Sequence, residues 1–265
     1  MRAFYLLLGF LIGATVFAQQ PTPMKKPSDD PLKIKFRGTE KRKVVNLSFN
    51  YDFQSPSMDM AKRFGNSTAL GIGCFVKTKS NLIWGGELSF MFGPNVKENT
   101  ILDSLTNSSG NVIGINGGYS RLGLSERGYF LMSRIGKVIP VLKQNKNSGF
   151  IVSGGVGFMQ HKLKITAPDG DVPALSKAYK KGYDRLTNGL VLNGFVGIYY
   201  LDRKHFINFY AGYNYLHGFT QSRRDWNFDT MMQDKQKRND VLSGFRFGWI
   251  IPIYPSSKTD EYIFY

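Results

Sequence analysis

The stretch VVNLSFNYDF (residues 44–53) alternates apolar and polar side chains without a break. Its odd-numbered positions from 45 to 53 are apolar or aromatic, and its even-numbered positions from 46 to 52 are Asn, Ser, Asn and Asp. Successive strand side chains point to opposite faces, so the stretch predicts a β-strand with one apolar face. That face meets a protein core in a soluble sandwich but lipid in a membrane barrel, whose polar face lines the interior. We interpret the stretch as a barrel strand.

The N-terminus has the pattern of an export signal. Arg2 precedes an apolar run from about residue 3 to 17, and the small residue Ala18 follows as the cleavage site. Residues 1–18 are therefore predicted to be a cleaved signal peptide. A membrane anchor is the alternative, but the run is shorter than the roughly 18–20 residues that a spanning helix needs. The net charge of +16 would suit nucleic acid or anionic lipid headgroups. Export favours lipid or lipopolysaccharide and argues against nucleic acid. Cys74 is the only cysteine, which excludes an internal disulfide.

Three segments follow the predicted signal peptide. Residues 19–43 are rich in Pro and Lys without periodicity and are predicted to be a flexible basic periplasmic leader. Residues 44–254 hold the predicted barrel, and residues 255–265 form an aromatic C-terminal tail. The barrel segment contains eight candidate strands: 44–54, 67–78, 81–92, 127–141, 149–165, 187–200, 205–219 and 240–254.

The connections between these strands alternate between long and short. Residues 55–66, 93–126, 166–186 and 220–239 are long, whereas 79–80, 142–148 and 201–204 are short. Outer-membrane barrels have long extracellular loops and short periplasmic turns, and a soluble sandwich has no reason to sort its loops this way. The sequence therefore predicts an all-β protein, an eight-stranded antiparallel transmembrane barrel in the outer membrane.

Charged residues are predicted inside this barrel. Asp52, Glu87 and Arg246 lie on polar strand faces, and Arg134 is a fourth candidate. Eight strands leave a lumen only wide enough for side chains. Because partly buried charges must pair, we predict a salt-bridged structural plug; the alternative is a conduction path or proton relay.

Catalytic and metal-binding patterns are weak. His161, His205 and His217 have no metal-ligand spacing, and no nucleophile-elbow or phosphate-loop motif occurs. Asp169 and Asp171 in APDGDVP are explained better by a turn than by a calcium site. We therefore predict no enzyme activity and no cofactor. An enzyme acting on lipid or lipopolysaccharide stays the alternative from a different functional class.

Two stretches in the long connections, residues 175–189 and 220–240, mix basic and aromatic residues. Such clusters suit lipopolysaccharide phosphates, a glycan or a protein partner, since Arg binds anions with two hydrogen bonds and aromatics serve as anchors. Alternatively, the loops are solvated and pair internally through Asp184, Asp225 and Asp229. The candidate binding residues are Lys180, Lys181, Tyr183, Arg185, Arg223, Arg224 and Trp226.

Residues 127–265, including GFMQHKLKI, INFYAGYNYLHGFTQSRRDWNFDT and GFRFGWIIPIY, resemble uncharacterised outer-membrane barrels of Bacteroidota. These barrels are broadly similar to PorT-like and OmpA- or OmpX-like small barrels. The resemblance implies the fold and location already argued and no characterised activity. It also implies an alternative role as an accessory of a type IX-like secretion or assembly complex. Classical barrels end on an aromatic residue in their last strand, which the assembly machinery reads, but the last predicted strand here ends near Tyr254. The tail aromatics Tyr262, Phe264 and Tyr265 are therefore candidates for recognition of an envelope protein; the alternative is that Tyr265 is a displaced assembly signal.

Overall fold

The computed structural model describes residues 41–115, 117–143, 145–167, 172–202 and 207–254. The predicted signal peptide, leader residues 19–40 and the aromatic tail lie outside the described residues, as do Asp169, Asp171 and His205. The last leader residues are positioned at the barrel, where the Arg42 backbone N–H donates to Asn147 Oδ1 at 3.1 Å.

Eight strands form the barrel and two short strands form a separate hairpin. The barrel strands are β1 (Val44–Ser57), β2 (Ser67–Lys77), β3 (Leu82–Gly93), β6 (Gly123–Pro140), β7 (Gly149–Thr166), β8 (Thr187–Tyr200), β9 (Phe209–Ser222) and β10 (Lys237–Ile253). The hairpin consists of β4 (Asn111–Ile113) and β5 (Tyr119–Arg121). The barrel is antiparallel and closed, in the order β1-β10-β9-β8-β7-β6-β3-β2. Closure pairs β1 with β10 and leaves no sheet edge. The predicted eight-stranded antiparallel barrel is confirmed.

The side chains of β1 point outward and inward as the alternation predicted. Phe49 lies beside Trp249 and Tyr51 beside Phe247 on the outer face, where Phe49 is 51% exposed. Asp52 points inward and is fully buried. On β1 the outer face is therefore apolar and aromatic, while polar residues face the lumen.

The connections sort by length onto opposite ends of the barrel. Of the described residues, 78–81, 141–143, 145–148, 201–202 and 207–208 lie at what we call the turn end, and 58–66, 94–115, 117–122, 167, 172–186 and 223–236 lie at the loop end. The tightest turn is closed by Asn81, whose φ of 65° lies in the left-handed region that Asn tolerates. Its backbone N–H donates to the Thr78 carbonyl at 3.0 Å.

Several strands extend further at the loop end than predicted. β10 begins at Lys237 rather than 240, and β6 begins at Gly123 rather than 127. Lys237 pairs with Gln221, and Gly123 pairs with Thr166. Backbone pairing continues there after the apolar alternation has ended, so hydrophobic pattern alone ended these strands too early. In contrast, β9 begins at Phe209, later than the predicted 205.

Residues 55–66, predicted as a loop, instead complete β1 and form the helix α1 (Met58–Arg63). Met60, Arg63 and Phe64 are buried, so this segment folds back over the mouth of the barrel. The other loop-end elements are two 3-10 helices (Asn99–Leu105 and Pro173–Leu175) and α2 (Lys177–Lys180). No helix among the described residues is long and apolar enough to cross a membrane.

Candidate functional site

Four charged residues meet in the middle of the lumen. Arg246 donates to Asp52 through Nε (2.5 Å to Oδ1) and Nη2 (2.9 Å to Oδ2). Its Nη1 lies 2.9 Å from both Glu87 oxygens. Arg134 Nη2 donates to Glu87 Oε1 at 2.9 Å. The structure thus brings together all four residues predicted for the lumen, with two positive and two negative charges.

Amides and a phenol extend this network along β8, β9 and β1. Asn214 Nδ2 donates to Asp52 Oδ1 at 3.3 Å, and Asn193 Nδ2 donates to Asn214 Oδ1 at 2.7 Å. The Tyr210 hydroxyl donates to Asn50 Oδ1 at 2.5 Å. A Cβ at Gly248 would lie 2.3 Å from the Tyr210 ring, so glycine is required there for Tyr210 to enter the lumen.

Apolar layers lie on both sides of the charged network. The turn-end layer consists of Val44, Phe75, Ile83, Val138, Ile151, Phe195, Tyr199, Leu201, Tyr210 and Ile250. The larger loop-end layer includes Met60, Phe64, Met91, Phe130, Met132, Met159, Leu163, Leu216 and Leu242. A cavity of about 30 Å³ remains near Asn46 and Ser48, enough for about one or two waters. The lumen is a packed interior rather than a channel.

A second buried polar cluster lies towards the loop end. His161 Nε2 is 2.9 Å from Asp240 Oδ2, which also accepts a hydrogen bond from the Thr220 hydroxyl. All three side chains are buried. The hydroxyl binds the carboxylate and not the imidazole, so the histidine cannot activate it as a nucleophile. Met159, His161 and Leu163 are alternate residues of one strand and therefore point to the same, inward face. This spacing is the signal in the sequence for the burial of His161.

Arginine and acidic side chains join the loops into a cap. Glu98 lies between Arg63 (Nε–Oε1 3.3 Å) and Arg185 (Nε–Oε2 3.9 Å). Arg185 also pairs with Asp229. Arg63 donates to Thr187 Oγ1 at 3.2 Å. The sequence did not indicate Arg63, because its place depends on α1 folding back over the barrel.

The candidate loop-binding residues divide into two groups. Tyr183 is buried and packs edge-on against Phe228, with ring centroids 5.5 Å apart. Arg224 makes a bidentate pair with Asp184 (Nε–Oδ1 2.6 Å, Nη2–Oδ2 2.5 Å).

The prediction of Tyr183 as a surface contact is wrong, because its ring forms part of the cap. Arg185 and Arg224 likewise hold acidic residues of the cap. The residues left at the surface are Lys180 (half-buried), Lys181, Arg223 and Trp226.

The loop end also exposes apolar residues that the sequence did not indicate. Ile113 and Tyr119 are paired across the β4–β5 hairpin, and Ile115 lies in its tip. Met231 and Met232 are exposed in the 223–236 loop. Inside loops of mixed composition, such residues carry no periodic signal, and only the folded cap shows which of them stay outside.

Metal-ligating side chains are not grouped within the part of the chain that the structure describes: no three His, Cys, Asp or Glu residues are placed to hold one ion. His217 lies outside the barrel and stacks on Phe219, with ring centroids 4.6 Å apart. His217 and His161 thus lie on opposite faces of the barrel wall.

No protein-family model matches the chain, and no curated protein matches it. Among solved structures, it is similar to Neisserial surface protein A, with 9% identity and a TM-score of 0.40 over 78% of this chain and 96% of that one. It is similar to Ail, the attachment invasion locus protein of Yersinia pestis (10% identity, TM-score 0.40, 79% and 99%). It is also similar to the outer membrane protein OprG from Pseudomonas aeruginosa (15% identity, TM-score 0.33, 81% and 98%). These likenesses assign no activity to this barrel.

Proposed function

We propose that this protein is an exported, non-enzymatic outer-membrane barrel that anchors a folded loop surface for binding. One observation carries the proposal: most of the outer face of the barrel is apolar, and side chains fill its lumen. A closed barrel with lipid-facing apolar residues satisfies every strand hydrogen bond within a membrane. A packed lumen leaves the loop end as the part of the molecule available to a partner.

The height of the apolar exterior supports a membrane location. On β6, outward side chains from Tyr129 to Ile139 are aromatic or apolar apart from Ser133 and Lys137. That segment rises roughly 34 Å along the strand and about 24 Å across a bilayer at a tilt of about 45°. The apolar band of outer-membrane barrels is about 25 Å tall. In the orientation usual for such barrels, the loop end is extracellular and the turn end is periplasmic.

The alternative functions differ in what they require. A small barrel enzyme needs reactive groups that reach its substrate, whereas His161 and Asp240 have no exposed surface. A role as an accessory of a type IX-like secretion or assembly complex, which the resemblance to PorT-like barrels implies, needs a stable envelope partner. The exposed loop residues, and Tyr262, Phe264 and Tyr265 of the tail, are the proposed contacts for such a partner.

Cys74 provides a test of the membrane location without a substitution. It lies in β2 on the outer face, between Leu47 of β1 and Gly86 of β3. A polarity-sensitive fluorophore attached to Cys74 after reconstitution should emit as in an apolar medium. Nitroxides placed along lipid acyl chains should quench it. Emission typical of water, with quenching by aqueous iodide alone, would contradict the proposal.

The binding role is tested by affinity purification from gently solubilised membranes. An Ile113→Ser/Tyr119→Ser variant changes the exposed hairpin, and a Lys181→Thr/Arg223→Thr variant changes the basic loop surface. We expect a recovered partner to be lost in one of these two double variants and to be retained in the other. Recovery of the barrel alone, in every mild detergent tried, would count against the secretion-complex alternative.

A further inference from the structure

Three cations lie on the outer face of two neighbouring strands, β6 and β7, at the loop end, beside Phe92 of β3. The register aligns Phe92 of β3 with Arg127 of β6, and Arg127 with Lys162 of β7. Lys164 lies two residues further along β7 on the same face. Arg127, Lys162 and Lys164 are all exposed. The three cations therefore stand side by side on the outside of the barrel.

An apolar groove runs directly below these cations, towards the middle of the barrel. The next row on the outer face is Phe90, Tyr129 and Gln160, and the row after it is Leu88, Leu131 and Phe158. Phe90, Phe92, Arg127, Tyr129 and Lys162 line one continuous groove. The Tyr129 and Phe158 rings lie 6.2 Å apart. Along β6, the outer face changes from the charged Arg127 to the aromatic Tyr129 over two residues.

The cations have no acidic partner within the described part of the chain. Arg127 donates to the Glu126 carbonyl at 2.9 Å and lies over the Phe92 ring, 5.9 Å from its centroid. The Glu126 carboxylate itself points into the barrel and is buried. This arrangement contrasts with the cap, where Arg185 and Arg224 are paired with aspartates. Among the described residues, these three neighbouring cations are therefore not neutralised by a carboxylate and are open to an anionic ligand.

We propose that this groove binds a phosphorylated glycolipid of the outer leaflet, such as lipopolysaccharide. The inference rests on the proposed membrane location and names a ligand for the barrel wall rather than for the loops. Arg127, Lys162 and Lys164 bind the headgroup phosphates, and Arg127 supplies a planar guanidinium held by its contacts with Phe92 and the Glu126 carbonyl. The acyl chains lie along Phe90, Tyr129 and Leu131. A lipid fits better than a soluble anion because the cations border the apolar band.

The test compares two variants that each lose three positive charges. Arg127→Thr/Lys162→Thr/Lys164→Thr changes the groove, and Lys180→Thr/Lys181→Thr/Arg223→Thr changes the loops. Purified barrel in uncharged detergent is titrated with lipopolysaccharide, with dephosphorylated lipopolysaccharide and with phosphatidylglycerol. We expect the groove variant to bind lipopolysaccharide on the order of 100-fold more weakly, at about fivefold per cation near an anionic surface. The loop variant should bind within about twofold of the wild type.

Folding is followed in the same samples by the heat-dependent shift in gel migration that folded barrels show. If the triple groove variant does not fold, Lys162→Thr/Lys164→Thr serves instead, with an expected loss of about 30-fold. Equal binding by dephosphorylated lipopolysaccharide or by phosphatidylglycerol would overturn the assignment. So would a larger loss in the loop variant, or no binding by folded wild type. A folded barrel that binds no glycolipid would leave the proposed membrane location intact.

Discussion

Arg246→Met is expected to cost about 3–5 kcal/mol of unfolding free energy, the cost of removing one partner from a buried ion pair. Arg246 is fully buried and makes four hydrogen bonds, two to Asp52 and two to Glu87. Methionine has a similar length without the charge, so the loss comes from electrostatics more than from packing. The four-residue network would then hold the carboxylates of Asp52 and Glu87 with Arg134 as their cation, which leaves one negative charge unbalanced.

The matched control is Asp52→Asn/Arg246→Met, which restores neutrality and leaves the pair of Glu87 and Arg134 intact. We expect this double variant to regain at least about 2 kcal/mol relative to Arg246→Met, within the range of coupling between residues in direct contact. Both free energies are measured by urea titration of barrels refolded in lipid vesicles, followed by tryptophan fluorescence. Equal stabilities of single and double variants, or a cost below about 1 kcal/mol for Arg246→Met, would refute an obligatory charge balance in this lumen.

Three further outcomes follow from other parts of the barrel. Ile135→Arg, near the middle of the apolar exterior, should destabilise the membrane-inserted barrel by about 2–4 kcal/mol; an equal cost in detergent and in lipid would contradict the lipid-facing assignment. Phe64→Ala should cost about 3–5 kcal/mol of cap stability, because the ring is fully buried under the loops, and limited proteolysis should then cleave the 223–236 loop faster than in wild type. Hydrogen bonds from Lys62 and from the Asn239 N–H hold the pKa of Asp59 below its ordinary value. Stability from this contact is therefore present above the unfolded pKa of about 3.9 and lost as pH falls through the lower folded pKa; the NMR shift of the Asn239 amide should follow that transition and be insensitive to pH in Asp59→Asn.

Most of the barrel was predictable because a strand with one apolar and one polar face repeats with a period of two. A one-residue change of phase would turn every aromatic of β1 into the lumen and Asp52 into the lipid. The same period placed Asp52, Glu87 and Arg246 on inward faces, and it indicated Arg134 as a fourth candidate on a strand that alternates less regularly. The cap was much less predictable, because α1 and the loops around Tyr183 fold through contacts between residues far apart in the sequence.

The sequence by itself determined which face of most barrel strands points outward, that the barrel has eight strands and which ends carry the long connections. These properties follow from local alternation and from connection length. Only the tertiary structure decided which cations are neutralised. Arg224 and Arg127 both belong to basic, aromatic segments, yet Arg224 meets Asp184, a contact across 40 positions of the chain, while Arg127 shares the outer wall with Lys162. Charge pairing depends on distance in space, which a linear pattern does not record.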